Sequence, residues 1–148
     1  MKTNVYLDVC TLCRPFDDQS YLRVRLETEA VNLIIAGVLG GYLQLAVSPV
    51  HHYEISDIPE AEERTQIRAT LENWGKTITG RHEKVRNRAE EFFRQGLGVA
   101  DAAHLAFAEE AHAAFVSCDD KLLKKCRRLH LDVWTGSPIA FCEKENLR

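Results

Sequence analysis

The chain has 148 residues, 45% apolar and 28% charged, the balance of an ordinary globular protein, which excludes wholesale disorder. At roughly 100–200 residues per domain the expectation is one domain over residues 1–148, with about two-thirds of the unfolded surface buried. Lys and Arg number 19 against 22 Asp and Glu, so the net charge of −3 excludes a simple polycationic nucleic-acid binder but leaves room for a nucleic-acid enzyme with local basic patches.

Val5–Leu7 is an apolar run ending at Asp8 and predicts a first strand. Thr11–Gln19, with Pro15 and Asp17-Asp18, predicts a loop. Ser20 stands where it can cap a helix to about Leu39, with Leu22, Leu26, Val31, Leu33, Ile34 and Val38 near helical spacing and Gly40-Gly41 as the stop. Tyr42–Val47 predicts a second strand, and Ser48-Pro49 opens a short helix through about Ile55. Helices follow from Glu60 to about Trp74, from Thr79 or Gly80 to about Gln95, and from Val99 to about His112, with an extended piece at Lys76–Thr79. Ala113–Ser117 predicts a strand, Lys121–Leu129 a helix, Leu131–Trp134 a strand and Pro138–Glu145 a last helix. Strands alternating with helices predict an α/β fold with a central parallel sheet covered on both faces, whose ligands collect beyond the carboxyl ends of the strands.

No apolar stretch reaches the roughly 20 residues of a membrane span, and MKTNVYLDVC lacks the long apolar region of a secretory signal. Five cysteines without such a signal lead to the expectation of reduced thiols in a cytoplasmic protein.

Acids recur where such a sheet would present them. Asp8 ends the first strand, Asp119 and Asp120 follow the run Ala114-Phe115-Val116, Asp101 lies in the first turn of an Ala-rich helix, and Glu54 lies in the short helix after the second strand. Carboxylates brought together repel one another unless a cation neutralises them, and hard ions such as Mg²⁺ or Mn²⁺ prefer oxygen ligands. Taken singly, each Asp has the plainer role of a helix cap or loop acid.

Four ordered segments carry a family likeness. VYLDVCTLCRPFDDQS resembles the opening of a bacterial branch of PIN-domain proteins, close to YLDTCCLNRPFDDQ, and PVHHYEISDIPE, GVADAAHLAFAEEA and FVSCDDKLLKKCRR follow in the family's order over nearly the whole chain. The resemblance implies a PIN-like three-layer α/β/α domain around a parallel sheet, and a metal-dependent ribonuclease of the VapC-like toxin branch. It implies RNA as substrate and an antitoxin protein as partner, and leaves a homodimer open. Asp8, Glu54, Asp101 and Asp119 match the four catalytic acids, with Asp8, Asp101 and Asp119 as ligands of Mg²⁺ or Mn²⁺. Ser117 matches a small hydroxyl residue, and Thr11 and Asp120 join it as supporting residues behind the acids. The chain departs from the pattern at Val9, where Thr or Ser is usual, and at Cys13, where Asn is usual. These departures motivate the alternative of a catalytically weak PIN-fold module that binds RNA or protein.

Cys10-Thr11-Leu12-Cys13 has redox-motif spacing, but the expected loop denies it the helix N-terminus such chemistry uses. Asp8-Val9-Cys10-Thr11 approaches the D-x-D-x-T of haloacid-dehalogenase phosphatases but has Cys10 in place of the second acid. Two basic stretches could meet phosphates, Arg81, Lys84, Arg86, Arg88 and Arg94 in one and Lys121, Lys124, Lys125, Arg127 and Arg128 in the other, while Arg14 and Arg23 flank the Asp8 loop and are the nearer candidates for RNA phosphates. His51, His52 and His104 read as structural or surface residues, with His104 close enough to Asp101 to support it.

Overall fold

The computed structural model describes residues 2–148. Five strands form one all-parallel sheet: β1 (Thr3–Leu7), β2 (Leu43–Val47), β3 (Gly75–Thr77), β4 (Ala114–Val116) and β5 (Thr135–Gly136). Their order across the sheet is β3-β2-β1-β4-β5. The chain builds outward from β1 to one side, then returns to build the other, so the strand order reverses between β1 and β4. That reversal opens a crevice at the carboxyl ends of these two strands.

Among the described residues, eight helices cover the sheet: α1 (Val9–Cys13), α2 (Leu22–Leu39), α3 (Pro49–Ile55), α4 (Ala61–Trp74), α5 (His82–Arg94), α6 (Val99–Glu110), α7 (Asp120–Cys126) and α8 (Pro138–Glu145). Alternation along β1 divides the core in two. Val5 and Leu7 face a cluster with Ile34 and Val38 of α2, Ile55 of α3, Leu71 of α4 and Phe141 of α8. Tyr6 faces the opposite cluster, with Phe92 of α5, Leu105 and Ala106 of α6 and Leu122 of α7. Both faces of β1 are thus buried, which is why its sequence is apolar without a polar alternation. The layers are the three-layer α/β/α arrangement expected from the sequence.

The structure corrects the sequence reading at four points. Thr11–Gln19 is not a plain loop: α1 starts directly after Asp8, and a 3-10 turn (Arg14–Phe16) follows, with Pro15 early in it where no amide hydrogen is needed. Ser20 does not cap α2, which begins at Leu22 after Tyr21; the Ser20 amide instead donates to Asp18 Oδ1 at 2.9 Å. Leu22 and Leu26 are exposed at 62% and 50%, while Glu27 on the same helix is buried. Glu27 tolerates burial because Arg14 Nε and Arg23 Nε both stand 3.3 Å from its Oε1. The fifth strand is Thr135–Gly136 rather than Leu131–Trp134: Leu131 packs on the α5–α6 cluster, and Trp134 leans on Phe141 with ring centroids 5.7 Å apart. The apolar side chains of that segment serve packing, and its last residue reaches the sheet through its carbonyl, which accepts from the Phe115 amide at 2.8 Å. Among the described residues, no helix is long and apolar enough to cross a membrane.

His51 joins β1 to α3. Its Nδ1 accepts from the Ser48 amide at 3.0 Å, so its Nε2 carries the hydrogen donated to the Leu7 carbonyl at 2.7 Å. Burial, with the neighbouring His104 adding, pushes its pKa down to about 3. The folded protein therefore holds His51 neutral where the unfolded chain would protonate it, below about pH 6.5. This group's stabilisation is full above that pH and is lost as the pH falls toward 3. In urea titrations, His51→Gln should flatten the fall in stability between pH 6 and 4 by about one proton, roughly 1.4 kcal/mol per pH unit.

Gly75 opens β3 where a Cβ would overlap Val47 Cγ2 and stand 2.5 Å from the Leu71 carbonyl oxygen. Because the backbone cannot yield as a side chain can, Gly75→Ala should cost about 1–3 kcal/mol in the same titration.

Candidate active site

Five carboxylates line one open cavity of about 350 Å³ at the carboxyl edge of the sheet: Asp8, Glu54, Asp57, Asp101 and Asp119, with Val9, Cys10 and His104. Asp8 ends β1 and N-caps α1. Its Oδ1 accepts from the Thr11 amide at 3.1 Å, the Thr11 hydroxyl at 2.6 Å and the Cys10 thiol at 3.2 Å. Asp119 follows β4 and N-caps α7, its Oδ1 accepting from the Lys121 and Leu122 amides at 3.0 and 3.1 Å. Among the described residues no protein donor reaches the Oδ2 atom of either acid, so each spends one oxygen on the fold and keeps one for a ligand. Asp101 lies in the first turn of α6, where the helix dipole favours an anion and where Ala102 and Ala106 let the helix pack closely. Glu54 comes from α3 and receives a hydrogen bond from His104 Nε2.

The acids feel one another. Half-buried Asp101 has its pKa raised by loss of water first, then by the charges of Asp8 and Asp119. The cavity is short of cations because the nearby ones are engaged elsewhere. Arg23 grips Asp120 with two nitrogens at 2.6 and 2.8 Å and also reaches Glu27; Arg14 pairs with Asp17 at 3.0 Å and with Glu27. Asp120 consequently does not line the cavity, and Arg23 holds its carboxyl below the usual carboxylate range.

Supporting residues tie the acid-bearing loops together. Besides donating to Asp8, the Thr11 hydroxyl accepts from the Cys118 amide at 3.0 Å, linking α1 to the loop after β4. Ser117 Oγ accepts from the Asp119 amide at 3.0 Å. Thus a hydroxyl does support Asp8 despite Val9; it comes from three residues on, brought back by the first turn of α1. That turn also puts Cys10 near a helix start, contrary to the loop expected from sequence. Loss of water and then the Asp8 charge push the Cys10 thiol up, so the position does not generate the thiolate that redox chemistry needs.

Asp57 and the Tyr6–His104 contact were not identified in the sequence. Asp57 lies in the turn just past α3, where its amide donates to the Glu54 carbonyl at 3.0 Å and keeps it beside that acid. The Tyr6 hydroxyl, 2.5 Å from His104 Nδ1, joins residues 98 positions apart and leaves no local signal. A larger cavity of about 750 Å³ lies between α5 and α6, but its charges offset one another, Arg88 pairing with Glu91 and Glu109 and Lys84 with Glu110.

Among the described residues, no three His, Cys, Asp or Glu side chains are gathered as a metal-holding set. The donor chemistry nevertheless fits a hard divalent ion that keeps several waters and takes only one or two carboxylates. Asp8 and Asp119, each with one oxygen left free, and Asp101, whose pKa is raised beside them, are the residues that would hold it.

No family model and no curated protein matches the chain. Among solved structures, that of FitAcB from Neisseria gonorrhoeae is similar, with a TM-score of 0.52 and 15% sequence identity. The likeness covers 90% of this chain and 97% of that one. It supports the PIN-like α/β fold over nearly the full length described.

Because the pKa of Asp101 is raised on folding, its charge opposes folding as the pH rises past the ordinary carboxylate range. In metal-free buffer containing EDTA, Asp101→Asn should therefore melt above the wild type at pH 7. The gap should close near pH 3, where the acid is protonated in both states.

Proposed function

We propose that this cavity is the active site of a metal-dependent ribonuclease that hydrolyses phosphodiester bonds endonucleolytically. The observation that carries the reading is the convergence of Asp8, Glu54, Asp101 and Asp119 from four separate elements on one open pocket at the strand reversal. Asp8, Asp101 and Asp119 would hold Mg²⁺ or Mn²⁺, directly or through waters. Such an ion, when bound, lowers the pKa of a water and stabilises charge on the phosphate. Asp8 and Asp119 are held for this by caps on their other oxygens, so little reorganisation is needed. Glu54, across the pocket, accepts a hydrogen bond from a water and steers it toward the scissile phosphorus. The RNA backbone approaches along α7 and the turn after it, where exposed Lys121 and Lys124 on the helix and Arg127 and Arg128 just beyond it offset the pocket's negative field. Arg14 and Arg23 contribute chiefly by ordering the loops, since each already pairs with protein acids.

The alternative of a binding module without catalysis was motivated by Val9 and Cys13. The Thr11 hydroxyl on Asp8 favours the enzyme. The biological role we infer is the toxin half of a toxin–antitoxin pair, supported by the four ordered motifs and by the PIN-like fold.

Cleavage of single-stranded RNA should require Mg²⁺ or Mn²⁺ and stop with EDTA. Asp8→Asn and Asp101→Asn should each lower the rate by at least about 100-fold, the scale of losing a group that acts in the transition state. Cys13→Ser should leave most of the rate. Gel-resolved cleavage time courses on folded variants check this; metal-independent cleavage, or full activity in Asp8→Asn, would refute the reading. Growth arrest on expression, relieved by a small partner protein encoded beside it, is the expectation for the toxin role.

A further inference from the structure

Behind the carboxylates runs a chain of buried polar groups. Tyr6, wholly buried on β1, has its hydroxyl 2.7 Å from Ser48 Oγ and 2.5 Å from His104 Nδ1. His104, 1% exposed, turns its Nε2 to Glu54 Oε1. Glu54 is 33% exposed and lines the pocket. The chain thus crosses from the start of α3, through β1 and α6, back to α3 at the pocket wall.

The donor directions follow from chemistry. The Glu54 carboxylate only accepts, so His104 Nε2 carries the hydrogen. In that tautomer Nδ1 keeps its lone pair and accepts from the neighbouring Tyr6 hydroxyl. Tyr6 then donates to His104 Nδ1, and Ser48 donates to Tyr6. Each bond polarises the next toward Glu54. The links cannot swing: the Tyr6 ring stacks on His51 with centroids 4.4 Å apart and on Phe115 at 5.9 Å, and His51 holds the Ser48 amide.

We propose that Ser48, Tyr6 and His104 form a positioning chain that fixes one carboxylate oxygen of Glu54 and leaves the other, Oε2, aligned toward the pocket as an acceptor for water. The role of that water in catalysis rests on the ribonuclease reading; the alignment of Glu54 does not. A histidine that merely filled the core would affect stability and nothing else.

Asparagine sets its amide nitrogen near the Nδ1 position of histidine and glutamine near the Nε2 position. His104→Gln therefore keeps a donor toward Glu54, and His104→Asn loses it. In Mn²⁺-supported RNA cleavage, His104→Asn should lower kcat about tenfold or more with KM little changed, whereas His104→Gln keeps most of the rate. Equal losses in the two variants, or a loss that only follows the folded fraction, would overturn the proposal. A second measurement needs neither activity nor these variants. The long-range ¹H–¹⁵N spectrum of the metal-free wild type should show His104 in its Nε2–H form, with a slowly exchanging ring proton that shifts in Glu54→Gln and in Tyr6→Phe. An Nδ1–H form, or a signal indifferent to both substitutions, would also overturn it. If the wild type fails to cleave RNA while that coupled signal is present, the ribonuclease reading falls and the positioning chain stands.

Discussion

The end of the central strand governs the rest of the molecule. Asp8 sits there with every polar group engaged but one. Its amide donates to the Val116 carbonyl at 3.2 Å, extending the β1–β4 ladder by a residue. Its carbonyl accepts from Thr11 and Leu12, both at 3.1 Å, which starts α1 at once. Its Oδ1 takes three donors, and Oδ2 remains. Strand end, helix cap and proposed ligand oxygen are thus one residue. Because α1 begins without a spacer, the Thr11 hydroxyl returns to Asp8 and also reaches the Cys118 amide. The loop that carries Asp119 is thereby registered against Asp8 by a hydrogen bond 107 residues long in sequence.

Gathering acids opposes folding, and the fold withstands it by rigidity rather than by neutralisation. Asp8 and Asp119 are caps, so their positions are set by backbone amides rather than by a cation. The arginines nearest in sequence are spent outside the pocket: Arg14 and Arg23 share buried Glu27, and Arg23 ties α2 to α7 through Asp120. This arrangement keeps the loops around the pocket ordered while leaving the pocket itself negative. An uncompensated cluster of this kind lowers the stability of the empty protein, and on the reading proposed above a bound cation would relieve it.

The parts of this arrangement that were legible in the sequence are those set by local rules. Asp8, Asp101 and Asp119 were visible because a strand end or a helix start fixes where a side chain points, and Ser48-Pro49 announced α3 through capping chemistry. The short helix after Asp8 was not, because Pro15 and the paired aspartates dominate any local reading of that segment, although the turn-breaking residues fall just beyond the helix. The fifth strand was misplaced because apolar residues in Leu131–Trp134 pack against helices, and only backbone pairing with β4 selects Thr135–Gly136. Glu27 in the apolar stripe of α2 was invisible for a similar reason: its burial depends on two arginines, one of them outside the helix. The chain from Ser48 through Tyr6 to His104 joins three elements, and no spacing rule reports such contacts.

The two departures from the family pattern carry unequal weight once the geometry is known. A hydroxyl directly after the strand-end acid and a hydroxyl three residues later are equivalent only if a helix begins between them. Here it does, so Val9 is free to pack on the core and line the pocket while Thr11 supplies the donor. The same turn brings the Cys10 thiol onto Asp8 as a further donor, and loss of water, with the acid's charge adding, keeps that thiol protonated. Cys13 stands at the end of α1, packs against the core, and its pKa is raised to about 12 by loss of water and by Glu63; it is not among the residues that line the pocket. The case for catalysis therefore rests on what surrounds Asp8, where the substitution is compensated, and the position that is not compensated lies a full helical turn away from it.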